Sequence, residues 1–97
     1  MIKNTFDISD FVSAQSLTGT VYELVKREKA ARKKKKLTQR QLAERTGVSY
    51  GSIRRFEQTG EISLFSLVKI ANALDCLEDF NELFKKPPVT DIRNLKL

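Results

Sequence analysis

Apolar residues recur three or four positions apart in five short groups along the chain, and capping residues or glycines separate these groups. A Thr followed three residues later by Glu or Gln, the pattern of a capping box, precedes the first group at Thr20 and the second at Thr38. Ser49 and Ser63 occupy the N-cap position before the third and fourth groups. The pattern therefore predicts five helices, over about 21–35, 39–46, 50–58, 64–74 and 77–84.

No segment of this pattern requires a strand, so the sequence predicts an all-α fold with one core. The helical domain is expected to span 20–86, between an N-terminal extension at 1–19 and a C-terminal tail at 87–97. Gly47 follows the second helix, where a left-handed residue commonly ends a helix, and Thr59-Gly60 ends the third. The buried stripe predicted for the fourth helix consists of Leu64, Leu67, Ala71 and Leu74.

Composition argues against several classes of function. The longest unbroken apolar run is two residues, which argues against a transmembrane helix or a signal peptide and predicts a cytoplasmic protein without a membrane partner. The chain has no His and one Cys, Cys76, so zinc sites of the usual kind and an internal disulfide are excluded. It also lacks a glycine-rich phosphate-binding motif. We therefore expect a protein that is not an enzyme and needs no metal, cofactor or small-molecule substrate.

The net charge of +6 is concentrated in one part of the chain. Residues 26–55 contain twelve Lys or Arg and only two acids, whereas the segments before and after them are each mildly acidic. A basic block between acidic flanks is typical of a surface that binds a polyanion. Within this block, Lys33–Lys36 are expected to attract phosphates without reading sequence.

The second predicted helix, the turn at Gly47 and the third predicted helix have the pattern of a helix-turn-helix motif. The small or apolar packing residues that this motif needs are Leu42, Ala43, Gly47, Val48, Ile53 and Phe56. The residues left on or near the outer face are Tyr50, Gly51, Ser52, Arg54 and Arg55. An arginine fork matches the O6 and N7 atoms of guanine, so this face is expected to read DNA in the major groove. Because Arg54 and Arg55 are adjacent on a helix, one is expected to contact a base and the other a phosphate.

Residues 37–43 (LTQRQLA), 47–49 (GVS) and 52–57 (SIRRFE) resemble the Xre/Cro/phage-repressor family, and the similarity extends over about 24–84. The resemblance implies a five-helix domain that binds double-stranded operator DNA as a two-fold homodimer. Matched to the family, Gln39 holds a phosphate, Arg54 reaches base or backbone, and Tyr50, Gly51 and Arg55 face base edges. Arg32 and Glu57 match an ion pair that joins the first helix to the third. The full set of DNA-binding residues predicted in this way is Gln39, Arg40, Ser49, Tyr50, Gly51, Ser52, Arg54 and Arg55.

Two residues depart from the family pattern. Glu28 occupies a position that is usually apolar, and it could pair with a nearby Arg or face solvent. Gly51 is a poor helix former. Its lack of a side chain either lets the backbone approach DNA closely or only relaxes the turn before the helix.

The stretch 47–67 resembles HipB-type regulators, which are paired with HipA-type kinase toxins. This resemblance implies an autoregulatory repressor and antitoxin with a toxin protein as partner. A phage-type repressor and a restriction-modification controller are the alternatives within the family. A protein-interaction adaptor that has lost DNA binding is the alternative from another class, and the basic block argues against it. RNA binding is disfavoured because the sequence shows no aromatic stacking platform.

The dimer contact is expected in the C-terminal half, because the basic face is reserved for DNA. Phe80, Leu83 and Phe84 exceed the apolar surface that a small core readily covers, which predicts an interface there. The tail at 87–97 could pair as a strand across the dimer, contact a toxin or be a disordered end. Residues 2–11 could also extend and pair.

Overall fold

The computed structural model describes residues 16–86, which form α-helices and one terminal 3₁₀-helix. In chain order the elements are α1 (Leu17–Lys34), α2 (Gln39–Thr46), α3 (Tyr50–Thr59), α4 (Leu64–Ala73) and the 3₁₀-helix (Leu77–Glu82). This part of the chain contains no strand, so the predicted all-α, five-helix fold is confirmed. None of its helices is both long and apolar enough to span a membrane. The segments 1–15 and 87–97, with the strands and tail contacts predicted there, lie outside the described residues.

The start of α1 differs from the prediction. Ser16 caps the helix by accepting a hydrogen bond from the backbone N–H of Gly19 at 2.9 Å, so α1 begins at Leu17. Thr20 lies within the first turn, where its hydroxyl donates to the carbonyl of Ser16 at 2.8 Å. The prediction that Thr20 and Glu23 form a capping box was therefore wrong, because a cap residue earlier in the chain already satisfies the helix terminus.

The ends of α2 and α3 follow from local hydrogen bonds. Both bonds of the predicted capping box of α2 are present: Gln41 N–H donates to Thr38 Oγ1 at 3.0 Å, and Thr38 N–H donates to Gln41 Oε1 at 2.8 Å. Gly47 ends α2 in the left-handed conformation with φ 79°. Ser49 caps α3, and Gly60, with φ 85°, ends it. The helix-turn-helix is thus defined at each helix end by a cap or a glycine.

The core lies where α2, α3 and α4 meet, with α1 packed across α3. Its buried apolar residues are Val25, Leu37, Leu42, Val48, Ile53, Phe56, Ile70 and Leu74. The stripe predicted for α4 needs correction, because Leu64 is 68% exposed whereas Ile70 is fully buried. Leu74 is one turn beyond Ile70 and lies on the same face, while Leu64 belongs to the opening turn, beyond the edge of the core.

The last predicted helix is shorter than expected. It is a 3₁₀-helix that ends at Glu82, and no side chain caps its start. Leu77, Leu83 and Phe84 are exposed, and Phe80 is half-buried. The predicted excess of apolar surface at this end of the domain is therefore present.

Candidate nucleic-acid interface

The outer side of α3 is an exposed polar surface. Ile53, Phe56 and Glu57 are buried on the inner side of the helix. On the opposite side are four exposed residues from the predicted set, namely Gly51, Ser52, Arg54 and Arg55. These residues lie within about half of the helix circumference, so one partner that approaches α3 from outside can contact them together. Tyr50 is half-buried at the start of the helix.

The first turn of α3 is fixed by its cap. Ser49 Oγ accepts a hydrogen bond from Ser52 N–H at 3.0 Å and donates to Ser52 Oγ at 2.9 Å. A Cβ added at Gly51 would have no atom within 4 Å, other than its own chain neighbours and helix backbone. The backbone at Gly51 is therefore open to a partner that approaches α3 from outside.

A stacked pair joins the two motif helices on this outer surface. The guanidinium carbon of Arg40, on α2, lies 4.0 Å from the centroid of the Tyr50 ring. The contact restricts the Tyr50 ring and keeps the Arg40 cation at the junction of α2 and α3. The two residues lie ten positions apart in sequence with a turn between them, so no periodic pattern indicated that they meet.

The predicted phosphate ligand Gln39 is half-buried at the first position of α2. Its Nε2 donates to Oε1 of Glu57 at 2.9 Å, which orients the amide. The side chain is thus tied to α3, and its predicted contact with phosphate remains a prediction.

Arg32 and Glu57 form a buried ion pair between α1 and α3. Arg32 Nε donates to Oε2 of Glu57 and Arg32 Nη2 donates to Oε1, both at 2.9 Å. Arg32 Nη1 donates to the carbonyl of Leu37 at 2.9 Å, so the same guanidinium also holds the segment before α2. Hydrogen bonding to Glu57 raises the pKa of Arg32, although burial opposes this. Burial favours a higher pKa for Glu57, but hydrogen bonds from Arg32, Glu28 and Gln39 together lower it.

Glu28, the departure noted in the sequence, is buried beside this ion pair. Only 7% of the residue is exposed, and no donor reaches either of its carboxyl oxygens. Burial, followed by the hydrogen bond and charge of Glu57, raises the pKa of Glu28 to about 8. Because this pKa lies above 7, the protonated form of Glu28 is favoured at neutral pH. Neither alternative from the sequence, a pair with Arg or a solvent-facing side chain, describes this arrangement.

An ion pair that the sequence analysis missed lies at the other end of α3. Arg55 Nε donates to Oε1 of Glu61 at 3.2 Å, and Arg55 Nη2 donates to the same oxygen. The two side chains are 68% and 65% exposed.

Within the lysine run, Lys35 pairs with Asp75 at 2.6 Å, and Lys33, Lys34 and Lys36 are exposed. Several of the predicted cations are thus available on the surface.

The chain was compared with known proteins. The family model described as Helix-turn-helix matches residues 29–80, which is more than half of the chain and includes α2, α3 and the turn between them. Neither the search of curated proteins nor the search of solved structures gives a match. The matched family consists of DNA-binding regulators of transcription. The chain therefore belongs to the Xre/Cro-type helix-turn-helix family and is a DNA-binding transcription regulator.

Proposed function

We propose that this chain is a repressor that binds a specific double-stranded operator, with α3 in the major groove. The observation that supports this most directly is the exposed outer side of α3, where Arg54 and Arg55 project from a helix capped by Ser49 and ended by Gly60. Because both ends of α3 are fixed, the backbone holds the side chains of this surface in defined positions from which they can contact DNA.

Each predicted residue has a role in this proposal. Arg55 contacts a guanine, Arg54 contacts a phosphate or a neighbouring base, and Tyr50 with Gly51 lies against base edges. The remaining contacts are to the DNA backbone. They come from Gln39, Arg40, Ser49 and Ser52, with the exposed lysines at the end of α1 adding nonspecific attraction.

The proposal includes a homodimer. One helix-turn-helix reads few base pairs, so two copies about 34–36 Å apart on a pseudo-palindrome give useful specificity. The exposed apolar residues at the C-terminal end of the domain support a contact there, since Leu83 is 56% and Phe84 98% exposed. This surface includes none of the residues that we assign to DNA.

Within the family, we infer an antitoxin that represses its own operon and binds a HipA-type toxin. The support is the resemblance of residues 47–67 to HipB-type regulators. A phage-type repressor or a restriction-modification controller would have the same DNA-binding surface. The toxin partner therefore distinguishes the antitoxin from these alternatives, and DNA binding does not.

Selection of bound sequences from a random 30-base-pair library tests DNA reading. We expect enrichment of one pseudo-palindromic site, bound on the order of 10³-fold or more above random DNA at physiological salt. The affinity should fall steeply with added salt, because lysines and arginines displace counterions from phosphates. A chain that enriches no site, or that binds RNA as well as the selected DNA, would contradict the proposal. Such a result would favour the adaptor or the RNA-binding alternative.

Light scattering on the full chain tests assembly, and the substitutions Leu83→Ser and Phe84→Ser test the proposed contact. We expect the wild type to have the mass of a dimer and the double variant that of a monomer with an unchanged circular dichroism spectrum. Deletion of residues 87–97 separates a role of the tail from that of Leu83 and Phe84.

Co-purification with the product of the neighbouring gene tests the toxin partner, and its failure would leave the DNA-binding proposal intact.

A further inference from the structure

The ion pair between Arg55 and Glu61 joins the exposed side of α3 to the loop that follows it. Glu61 comes directly after Gly60, the residue that ends α3. Both hydrogen bonds of the pair use the same oxygen of Glu61 and the same edge of the guanidinium, formed by Nε and Nη2. The opposite end of the guanidinium, with Nη1 and the second hydrogen of Nη2, takes no part in this pair.

The backbone holds the same two residues together. The hydroxyl of Thr59 donates to the carbonyl of Arg55 at 2.8 Å and accepts from the backbone N–H of Glu61 at 3.1 Å. Thr59 therefore bridges the two residues whose side chains pair. Because of this bridge, the backbone at Glu61 is tied to the end of α3, so its side chain starts from a fixed point beside Arg55.

We propose that Glu61 is a positioning residue that sets the base preference of Arg55. This inference rests on the proposed function. A guanine presents two acceptors, O6 and N7, to a pair of parallel N–H donors. The end of the guanidinium that Glu61 leaves free is such a pair. With its other edge held by Glu61, Arg55 presents that end toward the base, and fewer side-chain rotamers are lost when DNA binds.

The alternative is that Glu61 keeps Arg55 away from DNA and thereby weakens binding. The two roles predict opposite changes in specificity when the carboxylate is removed. Glu61→Gln also removes a negative charge near the DNA, so the affinity of the variant for random DNA should rise whichever role Glu61 has. The ratio of the affinities for selected and random DNA therefore distinguishes the two roles, because the general electrostatic effect largely cancels in it.

The experiment measures that ratio for the full chain on the site selected by the wild type and on random 30-base-pair DNA. We expect Glu61→Gln to lower the ratio on the order of tenfold, within the range of one bidentate base contact. A second selection with Glu61→Gln should relax the guanine preference at the same base pair that Arg55→Ala relaxes. In the Arg55→Ala background, Glu61→Gln should change the ratio no further.

Glu44→Gln is the matched control, because Glu44 is an exposed acid on α2 and its loss makes the same change in charge. We expect it to leave the ratio unchanged. A Glu61→Gln chain that retains or increases the wild-type ratio would overturn the positioning role while the proposed function stands. A wild type that enriches no sequence would overturn both, so the two failures are distinguishable.

Discussion

The Arg32 guanidinium and the Glu57 carboxylate meet edge to edge, and their side chains are only 9% and 1% exposed. Together they connect α1 to α3, and Gln39 adds a third hydrogen bond to Glu57 from the start of α2. Three helices of the domain therefore share one carboxylate. The orientation of α3, whose outer side we assign to DNA, depends on that carboxylate as well as on the apolar core.

Removal of the charge at Glu57 should destabilise the fold. We expect Glu57→Gln to lower the free energy of unfolding by about 3–5 kcal/mol, because the buried Arg32 cation loses its counter-ion. Glu61→Gln breaks the exposed pair with Arg55 and should cost less than about 1 kcal/mol, which makes it the matched control. Urea denaturation measures both. Equal midpoints for the Glu57→Gln chain and the wild type would show that the buried pair contributes nothing to stability.

Stability should decline as pH rises through the neutral range. The pKa of Glu28 is about 8 in the folded chain, compared with 4.5 for an ordinary Glu side chain. Between these values the folded state holds one more proton than the unfolded state. The contribution of Glu28 to the free energy of unfolding is therefore complete below pH 4.5. It decreases by up to about 1.4 kcal/mol per pH unit until about pH 8. Glu57 has the opposite sign: its lowered pKa adds stability that is lost in acid as that carboxylate is protonated.

Denaturation midpoints measured from about pH 5 to pH 9 test the role of Glu28. The wild type should lose stability with rising pH and then level off. Glu28→Gln should remove most of this slope, because an amide at this position does not titrate. The control is Glu23→Gln, which changes an exposed acid on the same helix and should keep the wild-type slope. A wild-type midpoint that is constant between pH 5 and pH 8 would contradict the protonation of Glu28.

The two helix-ending glycines should respond differently to substitution. Gly47→Ala should cost about 1–2 kcal/mol from the left-handed backbone alone, because the added Cβ has no neighbour within 4 Å. Gly60→Ala should cost more, because its Cβ would overlap Cγ1 of Val21 on α1. Thermal melting compares the two variants, and Val21→Ala in the Gly60→Ala background should restore part of the loss. Similar melting temperatures for both alanine variants would exclude the predicted clash.

Substitutions on the proposed DNA surface should separate base contacts from phosphate contacts. We expect Arg55→Ala to cost about 1–3 kcal/mol on the selected site and to relax preference at one base pair. Gln39→Ala should weaken selected and random DNA alike. Arg27→Ala removes an exposed arginine from α1 and is the control for the loss of one positive charge in Arg55→Ala. Filter-binding titrations at a fixed salt concentration measure these affinities. Equal losses on selected and random DNA for Arg55→Ala would remove Arg55 from base reading.

Local signals predicted the helix-turn-helix well, because its boundaries depend on residues close in sequence. The Thr38 capping box, Gly47 and the Ser49 cap each act within four residues, and α2 has the predicted bounds. The start of α1 was mispredicted because Ser16 and Thr20 are both good cap residues four positions apart. Choosing between them requires knowing which turn packs on α3.

The unpredicted parts of the site depend on tertiary proximity. The raised pKa of Glu28 depends on burial by the core and on Glu57, a residue on another helix. The contact of Arg40 with Tyr50 depends on the angle between α2 and α3. The pairing of Arg55 with Glu61 needs the loop geometry that Gly60 and Thr59 create. Residue type alone identified the exposed arginines, but it did not identify the groups that orient them.

Because the space around Gly51 is open, a substitution there can change the proposed DNA contacts of α3 at no cost to the stability of the fold. A Cβ introduced there would meet no atom within 4 Å beyond its own helix and chain neighbours, and most residues favour a helix more than glycine does. A single codon change can therefore place a new functional group on the exposed side of α3 without repacking the core. If α3 binds DNA as proposed, regulators that descend from this sequence can thus diverge in DNA preference at Gly51 while their stability is maintained or improved.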